Sequence, residues 1–356
     1  MPNIKQKIDQ YFQESVKRNA SDLHLSVGYL PTLRIDGVLV PLENKSIITP
    51  ETAEYFISEL LNKKQKEIFE KRKYCDFSYE VAGEYRFRVN VYLQRGFPSL
   101  AARLIPKKIP TLKELNLPEK LAEFTQEAQG LVLVVGPTGH GKSSTLAALI
   151  DIINHKFNKH IITIEDPIEY LFTQDQCMIE QRELHQDTAS FAEALRSVLR
   201  EDADVVMLGE MRDLETISSA ITVAETGHLV FSTLHTNDAQ QTIDRIIDVF
   251  PAGQQNQIRA QLANIILGVV SQRLIPRAGG GRVPAIEILK ANSAVRNLIR
   301  EKATHQINSV LETNMNNGMI SLNNSLADLV IKNQITLENA LLYSTNKEGL
   351  RALLEE

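Results

Sequence analysis

The segment with the clearest chemical meaning is residues 136–143, which read GPTGHGKS. They match the phosphate-binding pattern G-x-x-x-x-G-K-[ST] and lie between an apolar run, LVLVV, and a helical pattern that begins at Lys142. Glycines let such a loop curl so that its N–H groups and the following helix N-terminus face phosphates. Lys142 adds charge at the β- and γ-phosphates, and Ser143 offers a hydroxyl to Mg²⁺. The sequence therefore predicts a site for ATP and Mg²⁺ formed by Gly136, Pro137, Thr138, Gly139, His140, Gly141, Lys142, Ser143 and Ser144.

Two further apolar runs end in carboxylates. VVMLGE ends at Glu210, and HIITIE ends at Glu165, which Asp166 follows. Ligands of open α/β sheets bind outside the carboxyl ends of the strands, so these carboxylates are expected at the phosphate site. Glu210 is a candidate to hold the metal's water shell or to orient the attacking water, and Glu165 or Asp166 is a candidate general base. The alternative for Glu210 is a solvated strand-end glutamate, and Gly209 replaces the aspartate that many such enzymes carry before it.

Histidines lie at both ends of another apolar run, LVFSTL. His228 precedes this run and His235 follows it. Histidines at strand ends are often hydrogen-bonded structural residues, and the position of His235 at the carboxyl end also makes it a catalytic candidate.

Arginines follow a strand pattern in the first third of the chain. Residues 86–91, RFRVNV, alternate polar and apolar side chains, which predicts a strand with Arg86 and Arg88 on one face. A second predicted strand, which ends at Ile105, carries Arg103. Guanidinium groups stabilise phosphoryl transfer when they enter a water-excluded site, so these three arginines are candidates for that role. The alternative is a solvated sheet face.

The rest of the first half mixes helix and strand signals. Asp36-Gly37 between two β-prone arms predicts a hairpin. Thr49, Pro50 and Glu51 fit the start of a helix that is expected to continue through Lys71, and strands are expected from Cys75 onward. Residues 106–118 are rich in proline and lysine and are interpreted as a linker.

The second half alternates apolar strands and helices up to about residue 290. This rhythm predicts a mostly parallel sheet covered on both faces. A glycine triplet at 279–281 is interpreted as a hairpin tip, and helical spacing dominates from residue 291 to the end. Within it, residues 294–301 read AVRNLIRE, whose apolar positions fit one helix face and leave Arg296, Asn297 and Arg300 more exposed.

Composition restricts the class of protein. The chain has 356 residues, which favours two domains, and 39 basic against 44 acidic residues give a net charge of -5. This balance and the lack of a basic run argue against a nucleic-acid partner. Two cysteines without metal-ligand spacing argue against zinc sites and disulfides. No signal peptide or apolar run long enough for a bilayer is seen, so a cytoplasmic protein that can dock on a membrane protein is expected.

The four motifs together resemble the secretion ATPases that drive type II secretion and type IV pili. Residues 136–143, 162–169, 206–213 and 226–238 resemble the Walker A, Asp box, Walker B and His box of that superfamily. The segments SDLHL, RIDG, RFRVN, GEMRDLET and AVRNLIRE extend the resemblance over nearly the whole chain. AVRNLIRE is similar to a signature of the retraction ATPases within the superfamily, and the four-cysteine zinc motif and extra N-terminal domain of assembly and secretion members are not seen.

The resemblance implies a fold, an assembly and partners. It implies a PAS-like domain at 1–105, a linker at 106–118, a RecA-like ATPase core at 119–290 and a helical subdomain at 291–356. It also implies a homohexameric motor that acts with an inner-membrane pilus platform protein, with Glu165 and Glu210 in catalysis and Arg88 and Arg103 sensing phosphate. The resemblance also implies that the polar face of AVRNLIRE, with Arg296 and Asn297, transmits motion or contacts a partner; an ordinary amphipathic helix is the alternative.

The sequence departs from the superfamily at three positions, and three rival functions stay open. His140 stands where the superfamily often has serine, Ser144 replaces a frequent threonine, and Ala203 replaces a frequent proline. The rival functions are a pilus assembly or type II secretion ATPase, a RecA-like nucleic-acid motor, and a subunit that binds ATP without turnover.

Overall fold

The computed structural model describes residues 4–35, 37–82, 85–106 and 108–355. The chain forms two compact units: Met1–Lys108 with Pro167–Leu171, and Ile109–Asp166 with Phe172–Glu356. Within the described residues, no helix is both long enough and apolar enough to cross a bilayer.

The first unit is an antiparallel sheet covered by helices. Its strands lie in the order β3-β2-β1-β6-β5-β4. Its core includes Phe12, Leu23, Phe87 and Val89, each with no exposed surface. The elements in chain order are α1 (Ile4–Lys17), β1 (Asp22–Leu25), β2 (Thr32–Ile35), β3 (Val38–Pro41), α2 (Pro50–Leu60), α3 (Lys63–Arg72), β4 (Tyr74–Val81), β5 (Tyr85–Gln94) and β6 (Phe97–Leu104).

The hairpin predicted near residue 36 is present. β2 and β3 pair antiparallel with Ile35 opposite Val38, which leaves a two-residue turn. Gly37 has φ +83°, a conformation that glycine adopts without strain, whereas Asp36 lies outside the described residues.

The single helix predicted from Pro50 to Lys71 is wrong, because the segment forms two helices. Its start is confirmed, since the Thr49 side chain caps α2 by accepting from the N–H of Thr52. Leu61 is extended, and Asn62 then begins α3 with a capping box, in which its side chain and that of Gln65 bond each other's backbone N–H groups. The capping box therefore starts a new helix at a point where the helical spacing of apolar residues continues without a break.

The second unit is an α/β sheet of mostly parallel strands, as predicted. Strand order is β13-β12-β7-β11-β10-β8-β9, and β12 pairs antiparallel with β13. After a 3-10 helix (Glu119–Gln126), its elements are β7 (Gly130–Val135), α4 (Lys142–Lys156), β8 (His160–Glu165), β9 (Met178–Glu183), α5 (Phe191–Val198), β10 (Val205–Leu208), α6 (Leu214–Glu225), β11 (Leu229–Leu234), α7 (Ala239–Asp248), α8 (Ala252–Ile265), β12 (Ile266–Pro276) and β13 (Arg282–Lys290). Every residue of β7 and β11 is buried, which fits strands covered on both faces.

The C-terminal part is helical, as predicted. It contains α9 (Ser293–Arg300), α10 (Ile307–Thr313), α11 (Leu322–Ile331), α12 (Leu337–Tyr343) and α13 (Lys347–Glu355), with short 3-10 turns at Thr304–Gln306 and Met315–Asn317. Leu326 and Leu350 of these helices pack with Ile275 of β12 in one apolar cluster. The finer boundaries at 105, 118 and 290 and the PAS-like character of the first unit stay predictions.

Candidate nucleotide site

The loop at 136–143 joins β7 to α4, which is the context that its motif requires. Gly141, with φ +84°, directly precedes the first residue of α4. A Cβ at Gly136 would lie 2.3 Å from the carbonyl oxygen of Gln272, so the close approach of β12 admits only glycine there. The loop therefore has its path fixed by a neighbouring strand as well as by its own glycines.

Lys142 is held inside this loop. Its residue is 7% exposed, and its Nζ donates to the carbonyl oxygens of Gly136 at 2.9 Å and Pro137 at 3.0 Å. The ammonium group therefore lies within the curve of the loop, where a phosphate-binding cation is needed.

His140 is tied to β12 by its side chain and its backbone. The N–H of Leu274 donates to His140 Nδ1 at 2.9 Å, and Gln272 Nε2 donates to the His140 carbonyl at 2.9 Å. Burial lowers the pKa of His140 below its usual value, and the charges of Arg282, Lys142 and Arg273 lower it further. The sequence placed His140 in the predicted phosphate loop and marked it as a departure from the superfamily, and the structure adds that its ring accepts a hydrogen bond from β12.

The other predicted residues of this edge follow neighbouring strands. In the sheet, β8, β10, β11 and β7 are adjacent in that order. Glu165 ends β8, Glu210 comes two residues after β10, and His235 comes directly after β11. The structure thus brings Glu210 and His235 to the phosphate loop, with Glu165 at the next strand end.

A chain of polar contacts joins Lys142 to Glu210 through His235. Lys142 Nζ is 3.5 Å from His235 Nδ1, and Thr138 Oγ1 is 3.2 Å from the same nitrogen. An ammonium group can only donate, so Nδ1 is the acceptor and the Nε2–H faces Glu210 Oε2 at 3.3 Å. In this tautomer the imidazole bridges Lys142 and the Glu210 carboxylate.

Arg212 is a site residue that sequence reasoning missed. Its Nε lies 2.6 Å from Glu210 Oε1, and its side chain is 72% exposed. The signal was its position two residues after Glu210 in the same loop. Glu210 therefore has one oxygen facing a histidine and the other paired with a guanidinium.

Glu165 is bound differently from Glu210. It is 6% exposed, and its Oε1 accepts from Thr163 Oγ1 at 2.7 Å and from Gln181 Nε2 at 3.3 Å. Gln181 belongs to β9, a strand that the sequence reading did not predict. Asp166, the next residue, is exposed.

His228 lies at the amino end of β11, whereas Glu210 and His235 follow the carboxyl ends of their strands. It precedes Leu229, which pairs with Gly130 at the start of β7. Its Nδ1 is 3.0 Å from the carbonyl oxygen of Val223 at the end of α6, so His228 is a hydrogen-bonded structural histidine. A role for His228 at the phosphate loop is not supported.

The three candidate arginines lie on adjacent strands of the first unit. Arg88 of β5 is opposite Arg103 of β6, and Arg103 is opposite Asp22 of β1. Arg103 Nε donates to Asp22 Oδ1 at 2.8 Å while its side chain stays 71% exposed. Burial raises the pKa of Asp22, but hydrogen bonds from Ser21 and Arg103 and the charges of Arg103 and His24 together lower it by more, so the net pKa is lowered. Arg86 is half-buried on the same strand as Arg88.

The helix that contains AVRNLIRE confirms its apolar face and corrects its polar one. Val295 and Ile299 of α9 have no exposed surface, and Asn297 is exposed. Arg296 was expected to be exposed and is half-buried, because Nη1 donates to the carbonyl oxygens of Ala263 at 2.6 Å and Asn264 at 2.5 Å. These carbonyls lie in the last turn of α8, whose backbone acceptors have no partner within their own helix.

The residues at the sheet edge fit Mg²⁺ carried by a nucleotide. Within the described part of the chain, no group of three or more His, Cys, Asp or Glu residues could hold a metal by itself. Mg²⁺ bound with nucleotides takes phosphate oxygens and waters together with few protein ligands. A hydroxyl at Ser143 and a carboxylate at Glu210 supply ligands of this kind.

Comparison with known proteins finds relatives that match most of the chain. The profile described as "Type II/IV secretion system protein" matches residues 2–309. A relative named type IV pilus retractation ATPase PilT, from Pseudomonas aeruginosa, is 48% identical over 92% of this chain and 94% of its own. A twitching motility protein from Neisseria gonorrhoeae is 46% identical over 90% of this chain and 86% of its own. A crystal structure of the pilus retraction motor PilT with bound ADP has a TM-score of 0.91 at 46% identity, covering 97% of this chain and 99% of that one.

Proposed function

We propose that this chain, which belongs to the type II/IV secretion system protein family, is an ATPase that powers retraction of a type IV pilus. The observation that carries the proposal is the contact chain from Lys142 through His235 to Glu210, because it joins the phosphate loop to a carboxylate that can act on water or metal. The similarity to a retraction ATPase over 92% of the chain supports the choice of output.

In this proposal the phosphate loop binds ATP. Its backbone N–H groups and the N-terminus of α4 bind the phosphates, and Lys142 moves its donors from the loop carbonyls to the β- and γ-phosphates. Mg²⁺ would be held by Ser143 and, through water, by Glu210, and when bound it neutralises charge on the phosphate oxygens.

Glu210 and Glu165 have different contacts, and we assign them different roles toward the attacking water for that reason. Glu210 lies beside the phosphate loop and is oriented by His235 and Arg212, so we assign it to the metal shell or the attacking water. Glu165 is the alternative general base; it is buried and accepts from Thr163 and Gln181, whereas Glu210 contacts His235, which in turn contacts the phosphate loop. A base must reach the proton that it removes, which favours Glu210 for the direct role.

The finer parts of the proposal concern assembly and place. The motor is proposed to act as a homohexamer at the cytoplasmic side of the inner membrane, with a pilus platform protein as its partner. Arg88 and Arg103 are proposed to sense the phosphates of a bound nucleotide. No nucleic-acid partner is proposed, since acidic residues outnumber basic ones, 44 to 39.

The test compares pilus retraction in cells that carry type IV pili and lack their own retraction ATPase. Cells supplied with this chain should retract pili, and cells supplied with Glu210→Gln should extend pili without retracting them. Restored retraction by both proteins would contradict the role of Glu210. If the wild-type chain restores pilus assembly to an assembly mutant instead, the rival function as an assembly ATPase is correct.

A further inference from the structure

One strand, β12, contacts two loops of the nucleotide site from its two faces. Neighbouring side chains of a strand point in opposite directions. Ser271 and Arg273 face the loop that follows His235, whereas Gln272 faces the phosphate loop. Consecutive residues of a single strand therefore reach two motifs that are far apart in sequence.

Gln272 is a buried link between the phosphate loop and α4. The residue is 3% exposed. Its Nε2 donates to the carbonyl oxygen of His140 at 2.9 Å, and its Oε1 accepts from Thr145 Oγ1 at 2.7 Å. Both ends of the amide are therefore satisfied. An apolar replacement would leave the His140 carbonyl without this donor and Thr145 Oγ1 with only its longer bond to the Gly141 carbonyl, at 3.2 Å.

The opposite face of β12 holds the loop after His235. Ser271 Oγ donates to the carbonyl oxygen of Asn237 at 2.6 Å, and Arg273 Nη2 lies 3.4 Å from the same oxygen. Asn237 comes two residues after His235, whose Nε2 contacts Glu210. The backbone position of this loop therefore sets how the imidazole meets the carboxylate.

Arg273 also reaches the C-terminal helices. Its Nη1 donates to the carbonyl oxygen of Tyr343 at 2.7 Å, and Tyr343 is the last residue of α12. One planar guanidinium thus joins the end of α12 to the loop of His235, and a planar fork of fixed donors keeps the two acceptors at a fixed separation.

We propose that β12 positions the nucleotide site through two residues, Gln272 for the phosphate loop and Arg273 for the loop of His235, and that Arg273 couples helix α12 to that site. The inference rests on the proposed function, because nucleotide binding and turnover are its readouts. Neither residue needs to touch the nucleotide, so both are positioning residues.

The first test removes the Gln272–Thr145 link from each side. Gln272→Met should raise the dissociation constant for ATP about tenfold, Thr145→Val should raise it less, and the double variant should be no weaker than Gln272→Met. Gln257→Met, at an exposed glutamine of α8, is the matched control and should bind normally. A folded Gln272→Met that binds ATP like the wild type, or losses that multiply in the double variant, would overturn the role of Gln272. If Gln272→Met fails to fold, Thr145→Val alone decides, and unchanged affinity in it counts against the link.

The second test separates positioning from stability at Arg273. Arg273→Met should lower kcat about tenfold with KM nearly unchanged, because the displaced loop misplaces His235 and Glu210 after ATP is bound. Arg273→Lys should restore part of kcat, and Arg277→Met, at an exposed arginine of the same hairpin, should change neither constant. Unchanged kcat in Arg273→Met, or an equal loss in Arg277→Met, would overturn the coupling. A wild-type chain that binds ATP without hydrolysing it would refute the proposed function instead, and the affinity test of Gln272 would still stand.

Discussion

Two segments with recognisable motifs, the phosphate loop at 136–143 and helix α9, use their cationic side chains in opposite ways. Lys142 is buried within a loop at the carboxyl end of a strand, where a ligand's phosphates can replace its carbonyl partners. Arg296 is bound to the last turn of α8, whose carbonyls are permanent partners inside the unit. The acceptors within reach of a cationic side chain, rather than its residue type, therefore decide whether it binds a ligand or stabilises the fold.

Removal of the Lys142 side chain should have a large effect on nucleotide binding. Lys142→Ala should weaken ATP binding about 100-fold, because a buried charge that faces phosphates is lost while β7 and α4 stay intact. Titration with a fluorescent ATP analogue measures the change. Lys156→Ala, at the exposed end of the same helix, is the control. Normal affinity in a folded Lys142→Ala would mean that the lysine serves the loop and not the ligand.

Glu210→Gln tests whether the carboxylate that follows β10 acts in the chemical step. Turnover should fall about 100-fold or more while ATP binding is retained, because the amide keeps the shape and loses the charge that orients metal or water. Steady-state phosphate release and equilibrium binding give the two numbers. The control, Glu215→Gln at an exposed surface pair, should turn over normally. Equal losses of turnover and affinity would make Glu210 an ordinary binding residue.

The two polar residues of α9 should have different effects when they are changed one at a time. Arg296→Met should destabilise the packing of α8 against α9 by about 2 kcal/mol, because the α8 carbonyls lose a charged donor, and hydrogen exchange at the amides of these helices measures it. Asn297→Ala should leave exchange and basal ATPase unchanged, since its side chain is exposed. If Asn297→Ala also abolishes pilus retraction, the exposed face of α9 transmits the output, and retraction at the normal rate would remove this residue from it.

The sequence predicted the features that local rules govern. The phosphate loop, the cap at Thr49 and the alternation in β5 depend on residues close together in the chain, and each is found as expected. The partners of His140 and Arg296 were missed because they belong to β12 and α8, more than 30 residues away in the chain. Spacing within one segment shows which residues share a face, but not which acceptors another segment brings to that face.

The smallest expected effect concerns pH and His140. The neutral ring accepts the N–H of Leu274, and its pKa is lowered by burial and by Arg282, Lys142 and Arg273. Because the folded pKa lies below the ordinary value of about 6.5, the contribution of this bond is fully present above that value and is lost as the pH falls through the folded pKa.

ATP affinity of the wild type should therefore weaken a few fold in the acidic range, since a protonated ring donates at both nitrogens and loses the bond from Leu274, which leaves Gln272 to hold the phosphate loop to β12. His140→Ser, which replaces the ring with a hydroxyl that does not titrate there, should remove this part of the pH dependence, and binding titrations from neutral to acidic pH compare the two proteins. His305→Ser, at an exposed histidine in the C-terminal helices, should keep the wild-type profile. If His140→Ser and the wild type lose affinity in parallel, the acid-sensitive group lies elsewhere, and the contact between the loop and β12 depends on Gln272 and not on the imidazole.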